Sequence, residues 1–121
     1  MPTPQIVADT SELEVPPRMS GSAWQLTPPE RDLDANIITL PAADEIRAHT
    51  GPDLDVLIHV LSGSGTLETA ADTLDLSPGL IVWLPRRSTR RFLAGPSGLT
   101  YFSVHQRKPG LSIGSRPPLR T

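Results

Sequence analysis

The stretch Leu54-Asp55-Val56-Leu57-Ile58-His59-Val60-Leu61-Ser62-Gly63-Ser64-Gly65 is the most apolar run of the chain, and it decides the fold. Successive side chains of a strand point to opposite faces, so Val56, Ile58 and Val60 share one face and His59 lies on the other. We interpret the run as the central strand of an all-β barrel. The glycines that end it predict a hairpin, in which the chain turns at residues 62–65 and returns over residues 66–69.

Short apolar runs flank this strand on both sides, and most of them end at proline or glycine. They predict further strands at residues 22–26, 36–40, 73–76, 80–84, 88–93 and 99–105. Residues 42–48 fit an extended run that leads into His49, and residues 94–98 fit a loop. Eight or so short strands with no long helix indicate a small sandwich or barrel, most simply of the jelly-roll type.

Length and composition bound the possibilities further. The 121 residues make one domain, and the 14 prolines concentrate toward the ends. We expect an extended N-terminal arm over residues 1–20, a barrel over residues 21–107 and a Pro/Gly-rich tail over residues 108–121. The arm is expected to lie over the domain or over a partner subunit.

Charge and residue usage exclude several classes of function. A net charge of -2 argues against general attraction to nucleic acid or to acidic membranes. The chain has no cysteine, which excludes disulfides and thiolate metal sites and is compatible with the cytosol. The longest apolar stretches are too short for a signal peptide or a transmembrane helix. We therefore expect a cytoplasmic protein with neither nucleic-acid nor membrane partners.

Two spacings in the sequence resemble the motifs of the cupin superfamily. The first cupin motif runs Gly, five residues, His-x-His, four residues, Glu, six residues, Gly, and its positions fall here on Ala43, His49, Gly51, Val56 and Gly63. The second runs Gly, five residues, Pro-x-Gly, two residues, His, three residues, Asn, and its positions fall on Gly79, Pro85, Arg87, Arg90 and Ala94. The resemblance covers residues 40–105 and implies an all-β, single-domain cupin-type barrel, that is, a double-stranded β-helix or jelly roll.

The same comparison leaves most cupin metal ligands without a counterpart. The resemblance implies that two His and a Glu of the first motif and one His of the second hold the metal, and only His49 is retained. Gly51 has no side chain, and Val56 offers no donor atom. Arg90 places a fixed positive charge beside the expected metal position. We therefore expect no cofactor. The alternative is a divalent transition metal such as Fe, Mn, Ni or Zn, bound by His49 and His105.

The three histidines have different expected roles. The resemblance implies that the Val56 position points into the barrel, so His59 points away from the lumen. It is interpreted as a structural residue, hydrogen-bonded between the sheet and the arm or a dimer partner, unless a bulge reverses the parity. His105 ends the last strand and lies either in the lumen or at the surface. Together His49, His105 and Tyr101 are the candidate catalytic residues, because imidazole titrates near neutral pH and can transfer protons.

Four arginines fall within six residues, at positions 86, 87, 90 and 91. They are either a solvated turn or a site that captures an anion, because the arginine fork matches carboxylate and phosphate groups. An inward Arg90 needs a charge partner, which Asp53, Glu45 or a ligand can supply. The candidate ligand-binding residues are His49, Arg90, Val56, Ile58 and Arg87.

Trp83 lies in a run that is apolar on both faces. Such a run predicts a strand covered on both sides, as at a sheet-to-sheet dimer interface. Cupins commonly pair in this way, so the resemblance implies a homodimer.

Three functions remain open at the level of sequence. The first is a metal-independent cupin that binds a small organic molecule, favoured as an anion, in its barrel. The second is an enzyme, either a metal cupin with a non-standard site or a metal-free isomerase or cyclase that uses His49 as base. The third is a structural or regulatory dimer with a filled barrel.

Overall fold

A computed structural model describes residues 3–107 of the chain. Within that range the chain is almost entirely strand, apart from a short 3-10 helix at Thr10–Glu12. The strands are β1 (Gly21–Gln25), β2 (Leu33–Leu40), β3 (Glu45–Thr50), β4 (Val56–Thr69), β5 (Thr73–Leu76), β6 (Ile81–Leu84) and β7 (Thr89–Gln106). The expected tail over residues 108–121 lies outside the described residues.

Two long strands, β4 and β7, organise the barrel, because each belongs to both of its walls. The first half of β4 pairs with the second half of β7, and β2, β1 and β6 extend this wall. The second half of β4 pairs with the first half of β7, and β3 and β5 extend the opposite wall. All pairs are antiparallel. This arrangement is an all-β jelly roll, which confirms the predicted fold class.

The predicted hairpin at residues 62–65 and the predicted loop at residues 94–98 are wrong, since β4 and β7 run without interruption through both segments. The glycines that suggested turns mark the place where the two strands cross from one wall to the other. Gly63 and Gly98 both have φ of 79°, and a Cβ on Gly63 would collide with the backbone oxygen of Gly98. Register shifts beside Gly63 show that these glycines allow a bulged, closely spaced crossing.

The interior of the barrel is apolar and tightly filled. Val56, Ile58 and Val60 are at most 1% exposed, whereas Leu57 is 45% exposed, so the predicted alternation of faces is confirmed. Phe92 and Tyr101 stack inside the barrel with their ring centroids 5.1 Å apart. The remaining core members come from both walls and are Ile38, Leu40, Ile46, Leu67, Leu76, Leu84, Ala94 and Leu99.

The segment before β1 is an extended arm with little burial. Residues 3–12 are all exposed, and Ile6 is 92% exposed. Asp9 caps the 3-10 helix: the hydroxyl and backbone N–H of Ser11 both donate to its carboxylate, and these bonds lower the pKa of Asp9. Over residues 3–107 no helix has the length and apolar character needed to cross a membrane.

Candidate functional site

Arg90 is the largest side chain that the barrel buries completely. It lies on β7, two residues before Phe92 and on the same inward face. Its Nη2 donates to the Ser88 hydroxyl at 2.8 Å and to the Pro85 carbonyl at 3.2 Å, and its Nε donates to the Ser88 carbonyl at 3.3 Å. The turn at residues 85–88 therefore fixes the guanidinium from one side.

Gly51 makes room for this guanidinium from the other side. A Cβ built on Gly51 would collide with Arg90 Nη2 and would lie 2.5 Å from Arg90 Cζ and 2.9 Å from Arg90 Nε. The two segments are also joined through the backbone, where the Gly51 N–H donates to the Ser88 carbonyl at 3.0 Å. Gly51 and Arg90 thus form a matched pair, in which the missing side chain of one provides the space for the other.

Neither carboxylate that the sequence offered as a partner for Arg90 pairs with it in an ion pair. Asp53 pairs with Arg87 at 3.2 Å, and Glu45 pairs with Arg91 at 3.3 Å. The hydrogen bonds of Arg90 all go to uncharged oxygen atoms, and its Nη1 has no hydrogen-bond partner among the described residues. Burial lowers the pKa of Arg90, and the nearby Tyr101 opposes part of that change. Arg90 is therefore a buried cation that takes part in none of the ion pairs found within residues 3–107.

Further polar groups lie on the inner surface of the other wall, where Ser103 pairs with Asn36 and Ile58. Ser103 is completely buried, and its hydroxyl has no hydrogen-bond partner within residues 3–107. Asn36 is the register partner of Ser103 on β2 and shares its face. Each of these groups can donate a hydrogen bond. Ser103 follows Tyr101 by two residues on β7, so both side chains point to the same face, and Asn36 lies opposite Ser103 on β2.

That end of the barrel is its mouth, by which we mean the turn at residues 85–88 together with residues 53–55 and Gln106. A cavity of about 370 Å³ opens there and is lined by Asp53, Leu54, Asp55, Arg86 and Gln106. A second cavity, of about 490 Å³, lies between the arm, the end of β2 and the middle of β7, with Leu13, Met19, Thr39 and Thr100 in its lining. Neither cavity has His49, Arg90, Val56 or Ile58 in its lining.

His49 and His105 both lie at strand positions that border the lumen. His49 is the register partner of Arg90, and His105 is the register partner of Val56 and of Asp34. Both side chains are half-buried, and each Nδ1 donates to a nearby carbonyl, that of Arg47 at 2.8 Å for His49 and that of Gln106 at 2.9 Å for His105. This leaves Nε2 of each neutral ring as an acceptor. No hydrogen bond joins the two histidines.

The remaining predicted site residues lie in the core or at the surface. Val56 and Ile58 are core residues. Arg87 is exposed at the turn, with φ of 58° and its ion pair to Asp53. His59 is exposed on the outer face, as its parity predicted, and has no side-chain hydrogen bond to the described residues. Over residues 3–107 no group of three or more His, Cys, Asp or Glu side chains is arranged to hold a metal ion.

Sequence reasoning missed the roles of Gly51 and Ser88, which hold the guanidinium. One signal for them was available: glycine at position 51 and arginine at position 90 both replace cupin metal ligands, and these ligands meet in space in that family. When a small residue replaces one ligand and a large cationic residue replaces another, the cationic side chain is expected to fill the space that the first ligand would occupy. The unpaired hydroxyl of Ser103 has no sequence signal, because only packing decides whether a buried serine finds a partner.

Solved structures show what the architecture is similar to. No family model matches the sequence, and none of the curated proteins is similar to it in sequence. A cupin superfamily protein from Desulfitobacterium hafniense has a TM-score of 0.69 at 13% identity and covers 89% of this chain and 95% of its own. A conserved protein of unknown function from Streptococcus pyogenes has a TM-score of 0.68 at 18% identity and covers 91% and 93%.

A third structure gives the same result over a shorter range. The Cnp3 cupin domain from Schizosaccharomyces pombe has a TM-score of 0.62 at 16% identity and covers 70% of this chain. The alignment spans 63% of the length of that domain. The chain therefore has the cupin fold, as its motif spacing predicted.

Proposed function

We propose that this cupin-fold protein binds a small organic anion, with a carboxylate as the preferred group, through Arg90. One observation carries the proposal: Arg90 is completely buried, its hydrogen bonds go only to uncharged oxygens, and its Nη1 has no partner in the described chain. A buried charge is costly unless it is paired and fully hydrogen-bonded. A ligand carboxylate supplies both the missing charge and the missing acceptor.

The chemistry around Arg90 favours a carboxylate over an uncharged ligand. A guanidinium offers N–H donors in a fork whose geometry matches two carboxylate oxygens. The buried hydroxyl of Ser103 and the amide of Asn36 are further donors on the same inner surface. The cavity at the mouth lies next to the turn that holds the guanidinium, since Arg86 of that turn lines the cavity and Pro85 accepts from Arg90. We infer that a small acid enters from the mouth with its carboxylate leading.

The usual cupin metal does not fit the residues at its four positions. Only His49 carries a donor that a transition metal accepts, while Gly51 and Val56 carry none. The Arg90 guanidinium packs against Gly51, so a fixed organic cation stands beside the space where the family holds a metal cation. We infer that the positive charge of Arg90 takes over the anion-attracting role of the metal. Elemental analysis of the purified protein tests this inference, because stoichiometric Fe, Mn, Ni or Zn that disappears in His49→Ala would refute it.

The experiment compares small carboxylates with their uncharged amides. Thermal unfolding of the wild type is followed with benzoate against benzamide and with propionate against propionamide, at constant ionic strength. Ligand present at 100 times its Kd stabilises the folded state by about 2.7 kcal/mol. We expect at least one carboxylate to raise the Tm while its amide does not.

Two matched variants locate the site. Arg90→Met keeps a long side chain and removes the charge, and the carboxylate effect should disappear. Arg87→Met removes an exposed arginine from the same turn, and the effect should remain. Equal carboxylate effects in wild type and Arg90→Met would refute the proposal. If no carboxylate, phosphate or sulfate stabilises the wild type, the anion-binding role is wrong. The function favoured would then be that of a structural dimer whose barrel is filled by its own side chains.

We also propose that the protein is a homodimer that pairs through the outer face of the wall built on β4, β6 and β7. Support comes from the exposed side chains there, with Trp83 at 62%, Ile81 at 66% and Leu57 at 45%. Contiguous exposed apolar surface of this kind is typical of protein interfaces. Light scattering coupled to size exclusion tests the proposal at pH 8. A monomeric mass for the wild type at high micromolar concentration would refute it, whereas we expect a dimer that Trp83→Glu converts to monomer.

A further inference from the structure

The outer face of this wall contains one continuous row of side chains that crosses five strands. Register aligns Trp24, Ile37, Phe102, His59 and Ile81, in that order, across β1, β2, β7, β4 and β6. The adjacent row aligns Ala35, Val104, Leu57 and Trp83. Eight of these nine residues are apolar. His59 is the single titratable group on the two rows.

No charged residue faces His59 from the strands packed against it. Its register partners are Ile81 on β6 and Phe102 on β7. The diagonal positions on these strands hold Trp83, Val104 and Thr100, which are all uncharged.

Along the chain, the nearest acid to His59 is Asp55, which directly precedes β4. It lies four residues away, ~13 Å at the rise of a strand. The Asp55 carboxylate already accepts the Arg86 N–H at 2.9 Å. The described part of the arm before β1 carries three acids, Asp9, Glu12 and Glu14, which are all exposed, and the Asp9 carboxylate is bonded to Ser11. A proton on His59 therefore finds no counter-charge on the strands of this face.

We propose that protonation of His59 controls the self-association of this protein, with a neutral imidazole in the dimer and a charged one favouring the monomer. The inference rests on the dimer proposed above. A second copy is the occupant that the surface favours, because the face offers no charge to a charged partner and an isologous pair presents the same uncharged rows from both sides. Each copy also carries an exposed apolar arm, in which Ile6 is 92% and Val7 is 44% exposed and available to cover its partner.

The physical reason is the cost of moving a charge out of water. An exposed imidazolium is hydrated, but one that is covered by leucine, isoleucine and tryptophan side chains loses that hydration. Because the free imidazole titrates near neutral pH, this cost appears within an accessible range. The partner's copy of the same face brings a second His59 and no carboxylate, so the repulsion between two cations adds to the effect.

The sign of the pH dependence follows from proton linkage. The dimer binds fewer protons than two monomers once the pH falls into the range in which free imidazole is protonated. The dimer is therefore strongest above that range and weakens as the pH falls through it. Since two imidazoles are involved, the logarithm of the dissociation constant changes by at most two for each pH unit.

Sedimentation equilibrium tests the proposal. The dimer dissociation constant is measured from pH 8.5 to pH 5.5 at constant ionic strength for the wild type and for His59→Gln, a neutral polar replacement. We expect the wild-type constant to rise tenfold or more between pH 7.5 and pH 5.5 and that of His59→Gln to stay constant within about twofold. His49→Gln and His105→Gln, which alter the histidines of the lumen, should retain the full wild-type dependence.

The outcomes separate the two proposals. A wild type that is dimeric with the same constant at every pH, or a His59→Gln variant with the wild-type slope, overturns the inference and leaves the dimer intact. A wild type that is monomeric at pH 8.5 overturns both. If His59→Gln is poorly folded by circular dichroism, His59→Leu provides the same test, because a neutral apolar side chain should make the dimer tighter and independent of pH.

Discussion

Replacing Gly51 with alanine tests the fit between Gly51 and Arg90 most directly. The backbone of Gly51 does not have the positive φ that restricts alanine, so any cost comes from contact and not from backbone strain. The added Cβ would collide with Arg90 Nη2 and approach Cζ to 2.5 Å. The guanidinium must therefore shift away from its acceptors on Ser88 and Pro85.

The magnitude combines two effects. Forcing an extra methyl group into a packed interior costs about 1–3 kcal/mol. Weakening hydrogen bonds from a charged group that stays buried costs about 1.5–3 kcal/mol when they are lost, and only part is lost here. We expect Gly51→Ala to lower the free energy of unfolding by about 2–4 kcal/mol. With Arg90→Ala in the background the clash is removed, and alanine should then stabilise by about 0.4–1 kcal/mol by restricting the unfolded chain.

The assay is a double-mutant cycle measured by urea unfolding of the wild type, both single variants and the double variant. The change of sign in the effect of Gly51→Ala between the two backgrounds is the specific prediction. It corresponds to a coupling energy of at least about 2 kcal/mol between positions that are 39 residues apart in the sequence. Additive effects, or a Gly51→Ala variant as stable as the wild type, would refute the placement of the guanidinium against Gly51.

Three further outcomes follow from local geometry. Gly63→Ala should cost about 1–3 kcal/mol more than Gly79→Ala in urea unfolding, because both positions have positive φ but only the Cβ at position 63 meets backbone; equal costs would contradict the close strand crossing. Arg91→Met breaks ion pairs to two glutamates at 2.6 and 3.3 Å and should lower the midpoint of urea unfolding at low salt and lower it less in 1 M NaCl. A loss that does not depend on salt would show that packing and not charge is responsible. In an NMR titration, Ser11→Ala should raise the pKa of Asp9 toward its ordinary value, and an unchanged pKa would contradict the cap.

Much of the fold was predictable because strand periodicity is a local property. Alternation predicted that Val56, Ile58 and Val60 share one face, the cupin resemblance implied that this face is the inner one, and burial confirms both. The parity of His59 followed from the same rule. The error at residues 62–65 has a physical cause: glycine permits both a tight turn and a bulged crossing, and the choice depends on a strand that comes 35 residues later, at Gly98. Nothing local to Gly63 distinguishes the two.

The candidate site was predictable only in outline. Motif spacing identified position 90 as inward and cationic, because spacing along the chain specifies which residues face the lumen. It did not specify the partners of that cation. Asp53 and Glu45 were equally plausible from sequence, but each pairs with a more exposed arginine, where less desolvation opposes the pairing.

The sequence by itself determined the fold class, most of the strand positions and the side chains that share a face, since these depend on residue identity and spacing. The tertiary structure decided that Val56–Thr69 forms a single long strand that serves both walls, and that the guanidinium of Arg90 lies against Gly51. It also decided that His59 stands alone among apolar side chains on the outer face. These features depend on which residues meet across strands that are distant in the chain, and that is settled by packing and by the pairing of backbone hydrogen bonds.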